Sequence, residues 1–211
     1  MDFCWRLCYN FFMPTTKPQV RKEIRDILNS ADEEELELQS KKICSSFLES
    51  RLYKESDAIL SYMPMPKEAS PLSITEAALK DGKALALPRV LPNTSIMDFY
   101  LIKKNVPLQS QLTKGAWNID EPSACCENIF PLLGKFKRMT VIVPGVAFTK
   151  EGVRLGHGKG FYDIYIKRLL EKCRETESSV TLAGLCFDFQ LLPELPCESH
   201  DIKMNLILSP S

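Results

Sequence analysis

Between Thr140 and Leu170 the chain passes through an apolar run (TVIVPG), a loop with glycines at 145, 152, 156, 158 and 160, and an amphipathic run (FYDIYIKRLL). The apolar run, closed by Pro-Gly, predicts a strand buried on both faces. Beyond the loop, Tyr162, Tyr165, Ile166, Leu169 and Cys173 recur at helical spacing and form one stripe. Strand, loop and helix in that order make half of a parallel crossover unit, which commits the chain to an α/β architecture. The glycines sharpen this, because the chain holds only nine and five of them fall within these sixteen loop positions. Such a concentration marks backbone that must turn tightly or approach a ligand closely.

The rest of the chain follows the same alternation. KPQVRKEIRDILNS predicts a helix with Val20, Ile24, Ile27 and Leu28 inward. Ser30 and Glu33 have capping-box spacing for a second helix reaching about Ser50, with Leu36, Ile43, Phe47 and Leu48 inward. DAILSYM, KALALPRV, SIMDFYLI, VTLAGLCF and MNLILS read as further strands, and SITEAALKDG as a short helix ended by Gly82. Residues 103–137 show no clear period and carry Trp117 and several prolines; a stretch this long is expected to cover a site or hold short strands. The expected fold is a mostly parallel central sheet with helices on both faces.

Composition excludes several classes. At 211 residues the chain supports one core, read as a single domain over 14–211 behind an N-terminal extension at 1–13, with Met13 as a candidate start. Lys plus Arg equals Asp plus Glu, 27 each, which argues against a dedicated nucleic-acid binder. The apolar opening MDFCWRLCYNFF is too short to span a membrane and includes Asp2 and Arg6. Eight cysteines without a CxxC pair, and with no secretory leader, read as reduced thiols of a cytoplasmic protein. His157 and His200 are the only histidines, so a His-rich metal site is excluded.

The glycine loop has the parts of a polyphosphate site. Ligands of α/β sheets sit beyond the C-terminal ends of strands, and a helix N-terminus offers unpaired N–H groups with a positive dipole end. Arg154 and Lys159 add full positive charge, while Asp163 falls in the first helical turn, where it can face a cation bridging phosphate oxygens. Neither the Walker A spacing nor GxGxxG is present, since Val153 and Gly160 occupy the wrong positions.

PGVAFTKEGVRLGHGKGFYD resembles the signature of the 5-formyltetrahydrofolate cyclo-ligase (methenyltetrahydrofolate synthetase) family. Lys17 and Arg21 resemble that family's N-terminal KxxxR, SYMPMPKE its substrate loop, KGAWNIDEP its Trp-centred loop, and LPCESHDIKMNLIL its C-terminal end. The resemblance runs from about Lys17 to Leu208. It implies a three-layer α/β/α sandwich. It also implies ATP- and magnesium-dependent conversion of 5-formyltetrahydrofolate to 5,10-methenyltetrahydrofolate. By resemblance, ATP is held by Lys17, Arg21, Arg154, Leu155, Gly156, His157, Gly158, Lys159, Gly160, Phe161 and Tyr162. Arg154 and Lys159 are the candidate catalytic residues, and Asp163 and Asp201 match magnesium positions. Met63, Glu68, Trp117, Phe161 and Tyr162 are the candidate folate contacts. His157 stands where the family often has Arg or Tyr. The implied partners are small molecules, with no nucleic acid or membrane, and the expected state is a monomer or weak homodimer. Two alternatives remain: a folate- or nucleotide-binding paralogue without turnover, and a sugar-phosphate isomerase on a related sandwich.

Overall fold

The computed structural model describes residues 16–91, 94, 96–198 and 201–210. The expected extension and His200 lie outside the described residues.

In chain order the elements are α1 (Lys17–Ser30), α2 (Glu33–Glu49), α3 (Arg51–Glu55), β1 (Ala58–Leu60), α4 (Leu72–Lys80), β2 (Ala84–Val90) and β3 (Met97–Ile102). There follow β4 (Leu112–Lys114), β5 (Asp120–Pro122), β6 (Arg138–Val143), β7 (Ala147–Phe148), β8 (Arg154–Leu155), α5 (Phe161–Glu175), β9 (Ser179–Leu185) and β10 (Leu206–Leu208). Six strands make the central sheet in the order β10-β9-β6-β1-β2-β3. All neighbours pair in parallel except β2 and β3, which form an antiparallel edge.

Because strand side chains alternate between faces, each buried strand feeds two cores. Ile59, Leu85, Leu87 and Ile142 pack on one face with Ile43, Phe47 and Ile74 from α2 and α4. Leu60, Ala86, Val141 and Val143 pack on the other with Tyr165, Ile166 and Leu169 of α5. The result is the expected three-layer α/β/α sandwich. A third, smaller cluster joins Val20 and Ile24 of α1 to Ala147 and Leu155, so α1 lies against the glycine-rich segment.

Two local expectations change, and the short strands anticipated within residues 103–137 are present. Ser30 is the last residue of α1 and donates to the Ile27 carbonyl, so it does not cap the next helix. Asp32 does, accepting the Glu34 N–H at 3.0 Å, because its shorter spacing to the helix start suits an Asx cap. The loop after β6 is not irregular throughout: β7 and β8 close a small hairpin, with Val146 N–H bonded to the Leu155 carbonyl at 2.7 Å. Within residues 103–137, β4 and β5 form a second hairpin with Lys114 opposite Asp120. Among the described residues six cysteines are free thiols, at 44, 125, 126, 173, 186 and 197. Burial pushes Cys44 up to about 11 and Cys186 up to about 12.

Candidate active site

A cleft of about 460 Å³ opens at the C-terminal ends of β1, β2 and β6. The fold brings all sixteen residues singled out from the sequence to its lining, from Lys17 near one end of the chain to Asp201 near the other.

The cationic wall is built around the glycine loop. Arg154 sits on β8 with its side chain only 5% exposed. Its Nη2 donates to Asp163 Oδ1 at 2.7 Å and its Nη1 to the Pro144 carbonyl at 3.3 Å, while Nε is buried without a partner. A Cβ on Gly156 would fall 2.8 Å from Arg154 Nη1, so this guanidinium needs glycine there. From α1, Arg21 Nε donates to the Gly156 carbonyl at 2.9 Å. One turn earlier, Lys17 Nζ donates to Asp201 at 2.9 Å and lies 3.3 Å from Glu198. The Asp201 carboxylate is the main reason the Lys17 ammonium is held above its ordinary range. Helix α1 thereby ties the glycine loop to the C-terminal segment. Gly160 caps α5 with no side-chain acceptor, leaving the first N–H groups of that helix open at the cleft. Lys159 is exposed at the rim.

The other wall is aromatic and acidic. Glu68 Oε2 accepts the Met65 N–H at 3.0 Å, and Oε1 is buried with no hydrogen-bond partner. His157 Nε2 stands 3.5 Å from Oε1, an electrostatic neighbour at the limit of hydrogen-bonding distance. The Tyr162 hydroxyl is also buried and unpartnered; burial first, and the Glu68 charge second, push its pKa far up. The Tyr162 ring lies 5.9 Å from the Arg154 guanidinium, at the junction of the two walls. Trp117 is 60% exposed and tilts against Phe161 with 5.9 Å between ring centroids. Met63 adds apolar lining.

Sequence reasoning missed Pro88, Val90 and Met97, which the β2–β3 pairing brings to the cleft. It also missed Asp120 and Glu121, which line it beside Ile119. Their signal was adjacency to Trp117.

Magnesium takes oxygen ligands, keeps several waters and is usually held by one or two carboxylates together with phosphates. Asp163 and Asp201 fit that donor set: both are cleft-lining carboxylates next to the cationic wall. Among the described residues no three His, Cys, Asp or Glu side chains form a metal cage.

The family model described as the 5-formyltetrahydrofolate cyclo-ligase family matches residues 14–210. A probable 5-formyltetrahydrofolate cyclo-ligase of Schizosaccharomyces pombe is 30% identical over 203 residues, 94% of this chain and 97% of the relative. The 5-formyltetrahydrofolate cyclo-ligase of Mus musculus is 28% identical, covering 92% of this chain and 93% of its own. Among solved structures, the Aquifex aeolicus 5,10-methenyltetrahydrofolate synthetase superimposes with a TM-score of 0.73 at 28% identity, covering 92% of this chain and 89% of the other.

Proposed function

The chain belongs to the 5-formyltetrahydrofolate cyclo-ligase family and is an enzyme of that activity; from this premise we propose how its cleft performs the reaction. The substrates are ATP and 5-formyltetrahydrofolate; the products are 5,10-methenyltetrahydrofolate, ADP and phosphate.

The chemical difficulty is the formyl oxygen, a poor leaving group. Moving the γ-phosphoryl group of ATP onto that oxygen expels ADP and leaves an iminium phosphate. The second folate nitrogen then adds to the activated carbon and loses its proton. The carbon–oxygen bond breaks and phosphate departs. Phosphoryl transfer needs positioning and charge stabilisation more than covalent help. Arg154 supplies a buried charge whose Nε has no protein partner. Lys159 supplies a second, exposed charge. The open N–H groups after Gly160, with Arg21 and Lys17 behind the loop, cradle the remaining phosphates. Asp163 and Asp201 would hold magnesium, which when bound to the nucleotide supplies further charge neutralisation.

On the aromatic side, Glu68 Oε1 offers an unpaired acceptor for the N–H donors of the pterin, and Tyr162 offers a hydroxyl. Met63, Trp117 and Phe161 flank the flat ring. His157 lies between Glu68 and the glycine loop and is read as a contact to phosphate or substrate rather than as a base. One observation carries this reading: three buried polar atoms, Arg154 Nε, Glu68 Oε1 and Tyr162 Oη, are unpartnered on residues that share one cleft. Buried polar groups are ordinarily satisfied, so a ligand is expected to complete them.

The proposal extends to a cytoplasmic monomer or weak homodimer without a nucleic-acid partner, in keeping with the zero net charge. Among the described residues no helix is long and apolar enough to cross a membrane.

The test is ATP-dependent formation of the methenyl product by purified protein, followed by absorbance. Arg154→Ala and Lys159→Ala should each lower kcat by roughly 10²–10³. Near-normal turnover in both variants overturns the phosphate assignment. ATP binding without product would favour the non-catalytic paralogue, and indifference to ATP the isomerase.

A further inference from the structure

The β4–β5 hairpin carries Trp117 on an unusual turn. Trp117 and Asn118 are both left-handed, with φ of 56° and 60°. That conformation is disfavoured for a bulky side chain and persists only where the surroundings impose it. Backbone bonds across the turn are few: the Gly115 N–H reaches the Ile119 carbonyl at 2.9 Å and the Asn118 N–H reaches the Gly115 carbonyl at 3.3 Å.

The Glu121 side chain lies against this turn. Its carboxyl group folds back over the base of the turn. A Cβ built on Gly115 would lie 1.9 Å from the Glu121 carboxyl carbon and 2.2 and 2.4 Å from its oxygens. The backbone amide of Val90 and the Arg89 guanidinium face the same carboxylate and favour its charged form, although burial outweighs them and raises its pKa. Arg89 also clamps the outgoing strand, donating to the Pro122 and Ser123 carbonyls at 3.2 and 2.8 Å while stacked 3.7 Å over the Tyr100 ring. The neighbouring Asp120 is occupied by Lys114 at 2.9 Å. Glu121 is thus a partly buried carboxylate in the cleft wall, between β2 and the turn that bears Trp117.

We propose that Glu121 is a positioning residue for folate binding: lodged over Gly115 and against the Val90 amide, its carboxylate fixes the left-handed turn that holds Trp117 against Phe161. The folate part of this inference rests on the reading of the cleft given above; the positioning part stands on geometry alone. Gly115 is glycine to admit the carboxylate and not to permit its own backbone angles, because its φ lies outside the left-handed region. An alanine there is therefore tolerated by the backbone and evicts the carboxylate.

The experiment uses full-length protein carrying Trp5→Phe, which leaves Trp117 as the one tryptophan. In that background Gly115→Ala, Glu121→Ala, their double variant, Glu121→Gln and Trp117→Phe are compared. Gly115→Ala and Glu121→Ala should each shift Trp117 emission and raise the KM for 5-formyltetrahydrofolate about tenfold, the scale of one lost aromatic contact. The KM for ATP should stay within about twofold, the range left when no charged hydrogen bond to the nucleotide is lost. The double variant should match the worse single, since both remove one contact. Glu121→Gln keeps an acceptor oxygen and should recover most of the loss. Trp117→Phe should raise the same folate KM.

Unchanged emission and folate KM in Glu121→Ala overturn the proposal. So do multiplying effects in the double variant, a parallel rise in both KM values, or a folate KM indifferent to Trp117→Phe. Absent turnover in the parent protein would instead sink the reading of the cleft, while the emission series still decides whether Glu121 positions the turn.

Discussion

Gly152→Ala should destabilise the protein far more than the same change at Gly160, although both glycines are left-handed, with φ of 85° and 72°. At Gly152 a Cβ would lie 2.2 Å from the Met204 carbonyl oxygen and 3.2 Å from its carbon. Close carbon–oxygen contacts in proteins are about 3.3 Å, so the Met204 backbone must retreat by roughly 1 Å. That movement breaks the 2.8 Å bond from the Met204 N–H to the Gly152 carbonyl. The left-handed alanine costs about 1–2 kcal/mol. The lost backbone bond adds about 1 kcal/mol. Disturbed packing around the buried Met204 adds to both. A less flexible unfolded chain returns about 0.4–1 kcal/mol. The net is about 2–3 kcal/mol, or a melting temperature lowered by roughly 5–10 °C in a chain of this size. A Cβ on Gly160 meets nothing within 4 Å. Only the left-handed cost applies there, about 1 kcal/mol after the entropy term and roughly 2–4 °C. Thermal unfolding followed by circular dichroism compares the two directly. Equal midpoints would refute the close-approach account of Gly152. The change should also shift the magnesium titration of activity to higher concentration, since Met204 lies three residues beyond Asp201, which Lys17 holds.

Further outcomes follow from the cationic wall. Gly156→Ala places a Cβ 2.8 Å from Arg154 Nη1, so kcat should fall at least about tenfold by displacing a stabilising charge; a melting point within a few degrees of the parent shows that the loss is local. Asp163→Asn should shift the magnesium titration of activity to higher concentration, and an unchanged titration counts against its ligand role. Lys17 has a folded-state pKa above 10.5, so the stability it provides is complete below that pH and disappears as pH rises through the raised value. The melting difference between the parent and Lys17→Met should therefore be steady near pH 8 and narrow above about 10.5; a difference that persists at high pH would mean that Lys17 acts by packing alone.

The glycine-rich wall of the cleft was legible because it is local. β6, the glycines, Arg154, Lys159 and Asp163 fall within one short stretch, and periods of 2 and 3.6 with the chemistry of glycine, arginine and helix termini suffice to read it. The capping of α2 was misread by two residues, because Ser30 and Asp32 offer competing oxygens and only the formed helix chooses between them. Lys17 and Asp201 were linked by resemblance alone; they are 184 residues apart, and nothing in either segment announces the other.

The sequence by itself determined the class of fold, the order of strands and helices, and where glycines, cations and a helix-start acid are concentrated. Only the tertiary structure decided which groups meet. It set Asp163 against Arg154 and Asp201 against Lys17, left Glu68 Oε1 and Arg154 Nε unpaired, and folded Glu121 over Gly115. The physical reason is range. Backbone propensity and side-chain periodicity act over a few residues, whereas ion pairing and close packing act across a few ångströms between segments that the sheet order brings together.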